Sequence, residues 1–151
     1  MQSSWLTEHV CDRLDKLNRG FLWSDDINKR KLHLVGWQKA TLPKEKGGLG
    51  LRTTRLNNEA LLAKLAWKIL RKEETIWQSL VEAKYLKNGS LLHHQAKPGD
   101  SATWKGITRC VDILKPFLRW RIGNGTSILL WHDNWLGNGP LRDQGVHIIP
   151  A

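Results

Sequence analysis

Leu61-Leu62-Ala63-Lys64-Leu65-Ala66-Trp67-Lys68-Ile69-Leu70 decides the fold class of this 151-residue chain. Leu61, Leu65 and Ile69 repeat every fourth position, and Leu62, Ala66 and Leu70 run beside them. Two adjacent apolar stripes at that spacing belong to an α-helix, and a face so wide is buried between two layers. Thr54 stands at the head of this pattern.

Working outward, Leu6, Val10, Leu14, Leu17 and Phe21 mark one face of a helix over residues 7–23, with Thr7 as its N-cap. Ser24-Asp25-Asp26 ends it or caps the next element. Residues 27–52 read as irregular, anchored by Leu32, Leu34, Val35 and Trp37, with a turn at Pro43 and Gly47-Gly48. Downstream, Thr75-Ile76-Trp77-Gln78 fits a capping box for a helix presenting Trp77, Leu80, Val81, Lys84 and Tyr85, stopped by Asn88-Gly89. After a polar loop over 87–100, Asp100 or Ser101 caps a helix carrying Trp104, Ile107, Val111 and Leu114, which Pro116 closes. Leu118, Trp120 and Ile122 then alternate with Arg119 and Arg121 ahead of Gly123-Asn124-Gly125 and Ile128-Leu129-Leu130-Trp131, a β-hairpin signal.

The expected architecture is mainly α, a helical bundle plus a short helix and a C-terminal β-hairpin. Residues 1–88 form a helical subdomain, 89–136 a second one with the hairpin, and 137–151 a flexible tail. Nine of the twelve aromatic residues are Trp. Large rings can organise a core with few residues, and Trp67 and Trp77 are assigned to it.

The net charge of +10 is localised. Residues 29–55 set Lys29, Arg30, Lys31, Lys39, Lys44, Lys46, Arg52 and Arg55 against Glu45 alone. Residues 93–125 set Lys97, Lys105, Arg109, Lys115, Arg119 and Arg121 against Asp100 and Asp112. Clustered cations gain binding free energy by releasing counterions from a polyanion, so nucleic acid is the first partner class. The competing account is a solvated basic face that keeps the chain soluble.

Residues for chemistry are sparse. Asp25-Asp26 lacks the aromatic–small residue context of a polymerase carboxylate pair and reads as a helix end. His93-His94 and His132-Asp133 read as surface or hairpin histidines, since a structural zinc site needs four close ligands. Cys11 and Cys110 lie too far apart in sequence for a zinc motif and are expected as reduced thiols. No Gly-x-Ser-x-Gly elbow is present, and Gly48-Leu49-Gly50 fits neither phosphate-loop pattern. The N-terminus lacks the pattern of a signal peptide, and no apolar run reaches the ~18–20 residues of a membrane span. The expectation is an intracellular protein, nuclear or cytoplasmic, with no catalytic residue, metal or cofactor.

Eight motifs occur in a particular order. They are Met1-Gln2-Ser3-Ser4-Trp5-Leu6; Phe21-Leu22-Trp23; His33-Leu34-Val35 with Trp37; Pro43-Lys44 with Gly47-Gly48-Leu49-Gly50-Leu51-Arg52; Leu62-Ala63-Lys64-Leu65-Ala66-Trp67; Ala83-Lys84-Tyr85-Leu86; Ser101 with Trp104; and Trp120-Arg121-Ile122-Gly123-Asn124-Gly125 through His132-Asp133 to Trp135-Leu136. In this order the chain resembles the post-palm thumb and connection region of the reverse transcriptase of plant LINE-type (non-LTR) retrotransposons. In that family the region follows the polymerase palm and precedes a Cys/His zinc-binding segment and often an RNase H domain. The resemblance implies a thumb-like bundle that tracks a template–primer or RNA–DNA duplex, and it transfers no catalytic residue.

The expected function is therefore sequence-independent binding of an RNA–DNA hybrid, duplex or RNA through phosphates. Lys29, Arg30, Lys31, Lys44, Lys46, Arg52, Arg55, Arg119 and Arg121 are the expected contacts. Glycines let a backbone approach phosphates closely, and flanking cations hold register without reading bases. The alternative is an interaction or structural remnant whose apolar faces once packed on the palm, and which self-associates through them.

Overall fold

The computed structural model of the protein describes residues 3–23, 35–87, 89–126 and 128–144. Among them the regular elements are helical: α1 (Glu8–Trp23), α2 (Trp37–Ala40), α3 (Thr54–Leu70), α4 (Ile76–Val81) and α5 (Ala102–Leu114). Short 3-10 turns lie at Lys44–Lys46, Leu91–His93, Lys115–Phe117 and Leu141–Gln144, and a π-turn at Glu82–Leu86 continues α4.

The caps follow the chemistry of small hydroxyls. The Thr53 hydroxyl accepts from the Leu56 N–H at 3.3 Å, so α3 is capped one residue before Thr54. Thr75 accepts from Gln78 N–H at 3.2 Å, and Ser101, rather than Asp100, accepts from Trp104 N–H at 3.2 Å. Asp100 instead closes the preceding turn by accepting from Lys97 N–H at 2.7 Å. Thr54, now the first residue of α3, donates its N–H and hydroxyl to Asp15 at 2.9 and 2.6 Å, which ties α1 to the head of α3.

α3 packs on α5. Leu62, Ala66 and Ile69 are its deepest apolar positions, while Leu61, Leu65 and Leu70 are half-buried. They meet Trp104, Ile107, Cys110 and Val111 of α5, with Val81 and Leu91 completing one core cluster. Gly106 lets the helices close, because a Cβ there would lie 3.2 Å from both the Leu62 side chain and the Trp5 backbone nitrogen. Residues on both sides of position 88 therefore share one core. The chain before α1 is pinned by buried Asn58, which accepts from Leu6 N–H at 3.0 Å and donates to the Ser4 carbonyl at 2.9 Å. That is how a side chain with no exposed surface satisfies its polar atoms.

Two expectations of side-chain placement are corrected. Trp67 and Trp77 are not core: they are 44% and 38% exposed, and Trp104 is the fully buried tryptophan. α4 is only six residues long before the π-turn changes the pitch, so Gln78 and Val81 face inward and Trp77 and Leu80 face out. α1 forms as expected; it buries Cys11 and leaves Phe21 89% exposed.

The C-terminal β-hairpin is absent: the described residues contain no strand. The two arms do meet, through Trp120 N–H on the Asn134 carbonyl at 3.0 Å and the Asn134 side chain on the Leu118 carbonyl at 3.3 Å. The turn, however, forms at Leu129–Asp133. The Leu129 carbonyl accepts from His132 and Asp133 N–H at 3.0 and 2.9 Å, and the Asp133 carboxylate accepts from Leu129 N–H at 2.9 Å. Asn134 holds the next bend by accepting from Gly137 and Gly139 N–H at 2.9 and 3.1 Å. Side-chain acceptors satisfy these amides and take the place of a ladder.

Candidate nucleic-acid interface

The double-glycine turn after α2 is built for its own closure. Lys46 and Gly48 N–H donate to the Pro43 carbonyl at 2.9 and 3.1 Å, Gly47 N–H to Lys44 at 3.0 Å, Leu49 N–H to Ala40 at 2.9 Å and Gly50 N–H to Leu42 at 2.9 Å. A Cβ on Gly48 would fall 2.0 Å from the Leu42 carbonyl oxygen, so only glycine fits. Gly47 and Gly50 take φ of +77° and +70°, the left-handed region that glycine enters without a steric penalty. The amides of residues 46–50 are thus spent inside the turn, and the expected backbone cradle for phosphate is not offered. Contacts with a polyanion fall to side chains.

Those side chains are in place. Lys44, Lys46 and Arg52 are exposed, as is Lys39 on α2, and among the described residues no ion pair engages them. The Lys44 stem lies against Gly50, where a Cβ would sit 3.4 Å from its Cγ. Lys29, Arg30 and Lys31 lie outside the described residues, as does Asp25-Asp26.

Arg55 is drawn into the fold. Its guanidinium donates to the Leu6 carbonyl at 2.7 Å and lies 5.1 Å from the Trp5 ring centroid, where Arg109 also lies at 4.7 Å. Arg119 sits beside the Gly137 backbone, where a Cβ would come within 2.8 Å of its Cζ, and donates to the Leu136 carbonyl at 3.4 Å. Arg121 is exposed. Lys44, Lys46 and Arg52 therefore share one turn, while Arg119 and Arg121 belong to the C-terminal segment.

The basic cluster at residues 93–125 contributes a second feature, although Lys105, Arg109 and Lys115 were not among the expected contacts. A groove of about 740 Å3 lies between α5 and residues Leu92–Ala96, with Trp5 and Arg142 also lining it. Lys105, Arg109 and Lys115 from the α5 side, with Arg142, face one carboxylate, Asp112. Asp112 is paired with Lys115 at 2.8 Å, Lys105 donates to the Pro98 carbonyl at 2.6 Å, and Arg142 pairs with Asp143 at 3.3 Å. All are exposed contacts that water and salt screen readily. The helical spacing of residues 105, 109, 112 and 115 was the available signal.

His93 and His94 are structural in their contacts. His93 Nε2 lies 3.2 Å from Asp133, which is 4% exposed, and His94 Nε2 accepts from Trp104 Nε1 at 3.1 Å. Among the described residues no group of three or more His, Cys, Asp or Glu could hold a metal ion. Burial, reinforced by the charge of Glu59, pushes the Cys110 thiol up to about 11, so it is no ready nucleophile. No helix among the described residues is long and apolar enough to cross a membrane.

Two plant proteins are similar to this chain. It is 34% identical over 148 residues, 95% of its length, to an Arabidopsis thaliana protein named as a ribonuclease H protein, and it spans only 24% of that protein. It is 33% identical over 132 residues to an uncharacterized mitochondrial protein of the same plant, covering 87% of this chain and 86% of that one. No protein-family model and no solved structure matches it.

Proposed function

The chain belongs to the same family as the Arabidopsis mitochondrial protein, and we propose that it is a retrotransposon-related plant protein that binds nucleic acid through phosphates. In this reading it is the thumb-like region of a non-LTR reverse transcriptase, gripping an RNA–DNA hybrid or duplex without a catalytic step of its own. The observation that carries the proposal is the exposed cation set on the Lys44–Arg52 turn, free of ion pairs among the described residues. Such cations release counterions from a polyanion without reading its bases. The similarity to a protein named for ribonuclease H supports a nucleic-acid context.

Charge reversal of Lys44, Lys46 and Arg52 to Glu tests it. Binding to every sequence should weaken alike, by about tenfold or more at moderate salt. Unchanged affinity would remove this turn from the interface.

One observation favours a second reading, in which the chain docks on itself or on a further protein segment. Ile76, Leu80, Trp77 and Trp67 are 83%, 64%, 38% and 44% exposed. Apolar side chains clustered on a surface mark interaction sites.

A further inference from the structure

The groove along α5 has the shape and charge of a seat for one strand. Its lining runs from Ala102 to Lys115, about 20 Å of chain at helical rise. Spread over that length, a volume of about 740 Å3 makes a narrow, open trough. A duplex whose major groove alone is about 12 Å wide does not enter so narrow a trough. A single sugar–phosphate strand, extended along the groove, does.

The charges agree with that occupant. Lys105 and Arg109 stand one helical turn apart on α5, and Lys115 and Arg142 also line the groove. Asp112, the single carboxylate of the lining, is already held by Lys115 at 2.8 Å. The Trp5 ring packs under the Arg109 guanidinium and positions it. The contacts that Lys105 and Arg142 make now, Lys105 to a loop carbonyl and Arg142 to exposed Asp143 and to the His132 ring at 3.1 Å, are exposed and of the kind a phosphate displaces at little cost.

We propose that this groove binds a single strand of nucleic acid through Lys105, Arg109, Lys115 and Arg142, separately from the Lys44–Arg52 turn. The inference rests on the nucleic-acid reading above and adds a strand-selective site to it. A single-stranded overhang beside a gripped duplex is the natural ligand for two such sites on one chain.

The experiment uses the full chain with two fluorescent probes, an oligothymidylate of about eight nucleotides and a short DNA duplex. Affinity is read by anisotropy for the wild type, Lys105→Gln with Arg142→Gln, and Lys44→Gln with Lys46→Gln and Arg52→Gln. The groove variant should lose about tenfold for the single strand, and its salt slope should fall by roughly 0.7 per contact removed, while duplex binding holds. Asp112→Asn removes the groove's carboxylate and should tighten single-strand binding several-fold, a gain that no folding defect imitates. Single-strand binding untouched by the groove variant overturns the inference, as does an equal loss for both probes. A wild-type chain that binds the duplex but no single strand overturns it as well and leaves the broader reading standing. A folded wild-type chain that binds neither probe overturns both.

Discussion

Cys110 shows how one residue couples packing to pH. Its side chain is fully buried between α3 and α5, and the thiol donates to the Glu59 carbonyl at 3.7 Å. Burial first, and the Glu59 charge second, raise it from 9.0 to about 11, against a smaller opposing effect of Arg109. The folded state therefore holds the proton more tightly than the unfolded chain does. The stability this contributes is fully present below pH 9 and is lost as pH rises from 9 towards about 11. Urea unfolding across that window should show an alkaline decline that Cys110→Ala reduces. A variant with the same pH profile as the wild type would mean that other groups set it. The thiol should also resist alkylation near pH 8 until the protein unfolds.

Among the elements, the end of α3 carries a local conflict. Lys72 has φ of +51°, and the chain closes with Lys72 N–H on Ile69 at 3.0 Å and Glu73 N–H on Lys68 at 3.4 Å. That pattern of bonds ends a helix through a left-handed residue, usually glycine. Lys72→Gly should stabilise the protein by about 0.5–1 kcal/mol, read as a higher unfolding midpoint. A lower midpoint would show that the Lys72 side chain contributes more than its backbone strain costs.

The long elements were legible because their periodicity spans many turns. Leu62, Ala66 and Ile69 announced α3, and Trp104, Ile107 and Val111 announced α5. Thr75 stood where its hydroxyl was needed. The hairpin was misread because alternation at Leu118, Trp120 and Ile122 fits any extended segment. Nothing local revealed that Asp133 and Asn134 would claim the amides of Leu129, Gly137 and Gly139. Trp67 and Trp77 were misread because apolar character predicts burial only where a partner surface exists. At the candidate site, the Lys44–Arg52 cations were visible in composition. The diversion of Arg55 and Arg109 to Trp5 was not, since it joins residues about fifty and a hundred positions apart.

At the scale of the whole molecule, two surfaces contrast. Cations occupy the Lys44–Arg52 turn and the α5 groove, while Ile76, Trp77 and Leu80 leave α4 apolar and exposed. If α4 is a docking surface, light scattering should show mass rising with concentration, and Ile76→Lys with Leu80→Lys should restore a monomer while leaving the fold intact. A monomer at every concentration would remove self-association and leave the basic surfaces as the account of what the chain does.

The most direct test of the central claim is binding of the folded chain to an RNA–DNA hybrid, a DNA duplex and single strands over a salt series. The account predicts binding to all sequences alike, with affinity falling linearly on logarithmic axes at a slope of about −0.9 per phosphate neutralised on a duplex. Absence of binding at low salt, in a sample shown to be folded, would contradict it.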